Sequence, residues 1–496
     1  MSKGVITILD RMNGAEDSIL TGTGMLIDRL NKIYRNKVLA GEENPAPSPR
    51  DIFASHFIYC VAEYRPHVAI AYEYLKVMSK GINALSNGNS NKIKFDMMPN
   101  NGHFLYDQVI HVTIDEITDP AVRFRYCNFP GVRLLQNVAM VVEQVTVDQY
   151  SNMSTMLAVN LDVDQENFST FATSVGQQTV KSGSYYNSDV AITQYFGFSD
   201  GAQTPQTTQA TLDLWIPLGF WYNTDIGNAL HNGLLSTLDR YIEVELTNLN
   251  NIIQACDVNG NPIAGYFDNR RLTLRNMELY SRNIYVNPEV YDLFSKRRQV
   301  SLIRVHREQV QQLNKAQDSI LFSQMKYPIE HISFGFQPDI NQGTMDAWYK
   351  FAALNRIPFP IPAVVNNPLL IPVQQLVVRT ATYNSYSPAV TNLGLTIYGN
   401  DLYKLMPERF FNSYMGFTIP DCNGIVDVGV YQIPFSHFRR AQFVNGYLNN
   451  STTREIFLHY NSNFISTSNQ TSFYAVSRCI NFLIYENGKM RLRYAT

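Results

Sequence analysis

From Ser55 to the end of the chain, short apolar stretches alternate with turn residues. "SHFIYCVAEY", "HVAIAYEYLKV", "QVIHVTIDEI", "VRFRYC" and "NVAMVVEQVTV" follow one another, separated by punctuation such as "PNNG", "DPA" and "FPG". Many short strands broken by Gly, Pro and Asn predict an all-β chain of sandwiches or barrels, not a parallel sheet with crossover helices. "YIEVEL" shows the local rule: Ile242, Val244 and Leu246 face one way, and Tyr241, Glu243 and Glu245 the other, as in a half-buried strand. Composition agrees. The chain carries 30 Tyr and 28 Phe, and aromatic residues fit pleated, half-buried surfaces.

The strand series comes twice. A first run ends near "NPEVYDLFSKRRQ", where Pro288, early Glu289 and Asp292 and late Lys296, Arg297 and Arg298 predict a junction helix at about 287–298. A second run, from "VSLIRVHREQV" to "INFLIYENGKMRLRYAT", is broken by a predicted helix at "TMDAWYKFAALNR", with Trp348 and Phe351 on one face. A chain of 496 residues exceeds one ordinary core, and two of about 200 residues each are expected. The plan is an N-terminal arm (1–48), a first β-domain (49–298) with long polar surface loops at about 150–210, and a second β-domain (299–496). Two such sets in tandem indicate a duplicated jelly roll. In the arm, "GMLIDRLNKIYRNKVL" places Leu26, Leu30 and Ile33 on one helical face before the proline-rich "GEENPAPSPRD".

Catalytic chemistry has no foothold. HExxH, GxxxxGK[ST], GxSxG and GxGxxG are all absent, as is the HxH that a jelly-roll metal enzyme commonly uses. His306 in "LIRVHREQV" and His331 in "PIEHISF" are solitary and are read as packed, hydrogen-bonded side chains. "LDVDQEN" and "DVNGNPIAG" read as turns, not calcium loops. Arg304 and Arg307, beyond the helical basic cluster, read as an interface patch. The five cysteines lie far apart, without metal-ligand spacing, and are expected to be free thiols of a reducing compartment. Lys plus Arg (40) nearly balances Asp plus Glu (42), so direct nucleic-acid binding is not expected. No uncharged apolar run reaches about 18 residues, and no signal peptide opens the chain, which predicts a soluble intracellular product. No cofactor, metal or enzyme activity is expected.

Six stretches together resemble one family. "LWIPLGFWYNTDIGNAL", "FIYCVAEYRPHVAIAYEYLKV" with its Tyr74-x-Lys76-Val77 ending, "YCNFPGVRLLQNVAMVV", "NPEVYDLFSKRRQVSLIRVHREQV" followed by "MKYPIEHISFGFQP", and the terminal "INFLIYENGKMRLRYAT" are similar, collinearly, to the major capsid proteins of nucleocytoplasmic large DNA viruses. The similarity is specifically to the African swine fever virus branch. Two regions depart from its pattern: 165–210, which is more compact, and "FRRAQFVNGYLNNSTTREIFLHY".

The resemblance implies two tandem eight-stranded jelly rolls in a homotrimer of pseudo-hexameric outline, a hexon-like capsomer that tiles an icosahedral virion shell. Its implied partners are neighbouring capsomers, penton and minor capsid proteins, and an inner membrane reached through the arm face of Leu26, Leu30 and Ile33. Assembly in the host cytoplasm is implied as well. The alternative is a jelly roll that binds glycans in attachment. Trp215, Pro217, Phe220, Trp221, Tyr222 and Trp348 are expected to fill the core, the aromatic run wedged between sheets and junction helix.

Overall fold

The computed structural model describes residues 31–32, 34–41 and 70–494, the last range apart from 89–90, 98–101, 178–202, 204, 233–234, 236–237, 259–260, 287–290, 292–298, 366–374, 419–426, 439–443, 451–454 and 487–488. The chain divides into two compact units, Met1–Ala69 and Ile70–Thr496. In the first, residues 31–32 and 34–39 are helical and mostly exposed. Leu26, Leu30 and Ile33 lie outside the described residues, as does the junction segment 287–298 except for helical Tyr291.

The second unit opens with β1 (Ile70–Met78), β2 (Lys92–Asp96), β3 (Phe104–Ile114), β4 (Leu135–Val142), β5 (Val145–Ser151), β6 (Leu212–Pro217), β7 (Arg240–Leu246) and β8 (Leu272–Val286). They form two antiparallel sheets, β1-β8-β3-β6 and β2-β7-β4-β5. That order is the jelly roll. Alternation builds it: on β7, Arg240, Ile242, Val244 and Leu246 are buried while the residues between them are half-exposed. On β2, Ile93 and Phe95 point inward, and Lys92 and Lys94 point outward to Glu243 at 2.9 and 3.5 Å.

The pattern then repeats with β9 (Gln299–Leu313), β10 (Gln317–Leu321), β11 (Pro328–Pro338), β12 (Ala352–Val365), β13 (Gln375–Pro388), β14 (Asn392–Ile397), β15 (Asn400–Pro407), β16 (Val430–Pro434), β17 (Ile456–Asn461) and β18 (Thr471–Glu486). The sheets are β9-β18-β11-β16 and β10-β17-β14-β15, and β12 and β13 form a separate hairpin inserted after the third strand. Phe334, Phe336, Tyr431, Tyr460 and Phe473 pack ring against ring between these two sheets, at centroid distances of 5.2–6.1 Å. The fold is an all-β double jelly roll.

Two sequence expectations fail here. The polar region after Tyr150 begins with helices, not loops with short strands: α2 (Asn152–Asp162) and α3 (Gln165–Ser174), which follow a short α1 (Pro130–Leu134). Met153, Met156, Leu157 and Leu161 recur at helical spacing and are buried, and the Ser151 hydroxyl caps α2 by accepting from Ser154 N–H at 3.3 Å. The predicted helix at "TMDAWYKFAALNR" is instead a series of turns running into β12. Tertiary partners of Trp348 override its local propensity.

Candidate functional site: the seam between the sandwiches

All eleven β11 positions are buried, although a sheet strand buries only one face in its own sandwich. The other face is covered by the first sandwich, whose α2 packs across β11 and β18. Edge strand β5 runs beside edge strand β9, and the polar contacts between them are specific. Asp148, fully buried, accepts from the His306 backbone N–H at 2.8 Å and lies 3.0 Å from His306 Nδ1. The Glu308 carboxylate accepts from Ser151 N–H at 2.6 Å and from the Ser154 hydroxyl, so a charge from the second sandwich sits at the N-terminus of a first-sandwich helix. Burial alone would lower the His306 pKa, but the charge and hydrogen bond of Asp148, helped by Glu308, outweigh it and raise it.

A second group of contacts clasps α1. Arg133, buried, donates to the carbonyls of Thr344 and Gln342 at 3.2 and 3.0 Å and lies 5.1 Å from the centre of the Trp348 ring. Trp348 Nε1 donates to the Asn128 carbonyl at 2.6 Å, and Phe129 meets Tyr349 edge-on at 4.8 Å. Burial lowers the Arg133 pKa and pushes the neighbouring Cys127 thiol up to about 11. The turns at 344–350 are thus shaped by the first sandwich.

The aromatic run divides its work between core and seam. Phe220 and Tyr222 are fully buried in the first sandwich; Phe220 meets Tyr150 edge-on at 5.3 Å, and Tyr222 donates to Gln108 Oε1 at 2.5 Å. Trp221 is also buried and faces the seam beside His306 and Arg478. Trp215 and Pro217 are not core residues. Both are exposed, because Leu214 and Ile216 take the inward positions of β6 and strand alternation sends their neighbours out. Trp215 stacks on His111 at 4.2 Å and donates to Asp213 at 3.1 Å on the outer face.

That outer face of β1-β8-β3-β6 also carries Tyr72, 45% exposed, and Tyr74, 57% exposed, with the Arg282 guanidinium 4.2 Å from the Tyr72 ring centre. It corresponds to the face that α2 covers on the second sandwich. Every described residue of β1 from Ala71 to Met78, and of β15, is exposed or half-buried. These two edges correspond to β9 and β5, the pair that meets in the seam. Sequence reasoning missed the seam because its partners lie far apart along the chain.

The remaining candidates are structural. Arg304 forms a bidentate pair with Glu330, at 2.8 and 3.2 Å, with both side chains buried. Arg307 lies 4.8 Å from the Tyr327 ring centre. Asp257 accepts from Asn261 N–H at 2.8 Å within a turn. Cys127, Cys256 and Cys479 are free and buried. Among the described residues, no group of three His, Cys, Asp or Glu could hold a metal ion, and no helix is long and apolar enough to cross a membrane.

No family model matches the chain. Over the full length of both, it is 24% identical to the hexon protein p72 of African swine fever virus, and 23% identical to the major capsid protein of another isolate of that virus. Among solved structures it is similar to the Faustovirus major capsid protein, with a TM-score of 0.73 at 22% identity, covering 96% of this chain and 100% of that one. It is also similar to a chain of the PBCV-1 virus capsid, with a TM-score of 0.60 at 15% identity, covering 87% and 98%.

Proposed function

We propose that this chain is a viral major capsid protein, three copies of which close into a pseudo-hexameric capsomer that tiles an icosahedral shell. Its full-length relatives are viral hexon and major capsid proteins, and the glycan-binding alternative has no support among them. The role is structural, in the virion, with assembly in the host cytoplasm.

One observation carries the trimer. Within the chain, β5 and α2 of the first sandwich cover β9 and the outer sheet face of the second. The corresponding β15, followed by a helical segment at 410–418, and the corresponding β1 with its aromatic outer face have no such cover among the described residues. Exposed strand edges and aromatic faces invite association. A head-to-tail contact, β15 of one copy on β1 of the next, repeats the internal seam between copies. If it closes after three copies, six similar lobes surround one axis. Residues 49–298 and 299–496 form the two lobes, and the arm, 1–48, contacts minor capsid proteins or an inner membrane. Neighbouring capsomers and pentons complete the shell. Electron micrographs of purified protein should show six-lobed particles with threefold symmetry; two-lobed particles would refute the assignment.

A further inference from the structure

The outer face of β10-β17-β14-β15 carries a hydrogen-bonded relay that has no part in the seam. Ile320, Leu395 and Leu458 turn inward and are buried, which sends Ser319, Thr396 and His459 to the outer face. Ser319 stands directly across from His459, and Thr396 across from Asp401. Ser319 Oγ lies 2.7 Å from His459 Nδ1, His459 Nε2 lies 2.8 Å from Thr396 Oγ1, and Thr396 donates to Asp401 Oδ1 at 2.8 Å. The order of donation is fixed from the acid end. A carboxylate only accepts, so the one hydroxyl proton of Thr396 goes to Asp401, and its oxygen takes the Nε2 proton of a neutral imidazole. Nδ1 then keeps its lone pair, and Ser319 donates to it. A serine hydroxyl on a base that is itself oriented by a third group is the arrangement of an activated nucleophile. Beside it lies a depression of about 420 Å³, within the usual range of ligand sites. Gly394, opposite His459, lets β15 bulge close to β14, since a Cβ there would stand 3.2–3.3 Å from the backbone of Tyr403 and Leu405. Tyr403, Leu405 and Tyr460 give the depression apolar walls. Asp318 also lines it, 3.3 Å from Lys315. Lys404 is the one cation among the described lining and enters no ion pair among the described residues.

We propose that Ser319 is a nucleophilic serine that accepts an acyl group from a small ester, with His459 as its general base and Lys404 beside the developing oxyanion. As Ser319 Oγ bonds to the carbonyl carbon, its proton passes to His459 Nδ1. The C–O bond to the alcohol then breaks, the alcohol leaves with that proton, and the acyl group remains on Ser319. Thr396 and Asp401 are positioning residues: they hold the ring with Nε2–H turned away from Ser319 and balance the imidazolium that forms. No contiguous motif marks the site, because its four side chains come from four strands, with Ser319 and His459 140 positions apart. The inference does not depend on the capsomer assignment.

Incubation of the purified full chain with p-nitrophenyl acetate, and separately with an alkyl fluorophosphonate, followed by peptide mass mapping, tests it. Both reagents should modify Ser319. The rate should fall about hundredfold in His459→Ala, the lower end for loss of a general base, and the limb of the pH–rate profile that belongs to an imidazole should vanish with it. Lys404→Gln should react about tenfold more slowly, a modest share of what an oxyanion contact supplies. Thr396→Val should slow the reaction and move the same limb of the pH profile, whereas Thr396→Ser, which keeps the hydroxyl, should restore both. All of these positions are exposed or half-buried, so circular dichroism should be unchanged in every variant. The proposal is overturned if the folded wild type takes no label, if Ser319→Ala is labelled as fast as the wild type, or if His459→Ala keeps the wild-type rate. Unchanged rates in Lys404→Gln or Thr396→Val would overturn the roles given to those two residues.

Discussion

Trp215 and Trp221 lie on one short stretch, yet one is an exposed ring on a sheet face and the other is buried against the seam. Burial decides what each is worth. Trp221→Ala should cost about 3–5 kcal/mol, the usual range for an emptied aromatic site, whereas Trp215→Ala should stay within about 0.5 kcal/mol in the isolated chain; chemical denaturation of the monomeric fold measures both. The difference was legible in "LDLWIPL", since period two assigns Leu214 and Ile216 inward and Trp215 and Pro217 outward. Hydrophobicity alone misassigns them. At His306 the prediction concerns pH. Its folded pKa is raised above the ordinary imidazole value of about 6.5, so the stability it contributes is fully present below that value and is lost as pH climbs through the raised one. The groups facing it are Asp148, Glu308 and Arg478. Between about pH 6 and 8.5, a range spanning an ordinary imidazole pKa, the melting temperature of the wild type should fall more than that of His306→Gln. Parallel curves would contradict the linkage.

At the level of elements, what was local could be read and what was long-range could not. Strand alternation in β7 announces itself within seven residues, and so does the α2 stripe of Met153, Met156, Leu157 and Leu161 once helical spacing is tried on a polar stretch. The turns at 344–350 could not be foreseen, because they answer to Asn128 and Arg133, more than 200 positions away. The seam contacts give two predictions. Glu308→Ala leaves Ser151 N–H and the Ser154 hydroxyl without their acceptor, at a cost of about 1–3 kcal/mol; hydrogen exchange should speed up in 152–162 before it does elsewhere. Leu402→Lys with Leu405→Lys alters only exposed positions of β15. Secondary structure and monomer stability should be unchanged to within about 0.5 kcal/mol, while association is lost. Retained association would remove β15 from the interface.

For the molecule as a whole, the repeated strand series in the sequence already indicated two sandwiches, and the repeated order 1-8-3-6 and 2-7-4-5 makes them jelly rolls. Length pointed to two cores and the Tyr and Phe content to strands, while a near-balanced charge named no partner. The proposed assembled state was implied by resemblance, and what supports it physically came only with the folded chain: one seam made internally, and the corresponding edges β15 and β1 uncovered among the described residues. Multi-angle light scattering of the purified protein tests this most directly. The expected mass is three times 56.6 kDa, falling to that of a single chain in the Leu402→Lys, Leu405→Lys variant. A wild-type protein that stays at the mass of one chain at micromolar concentration would contradict it.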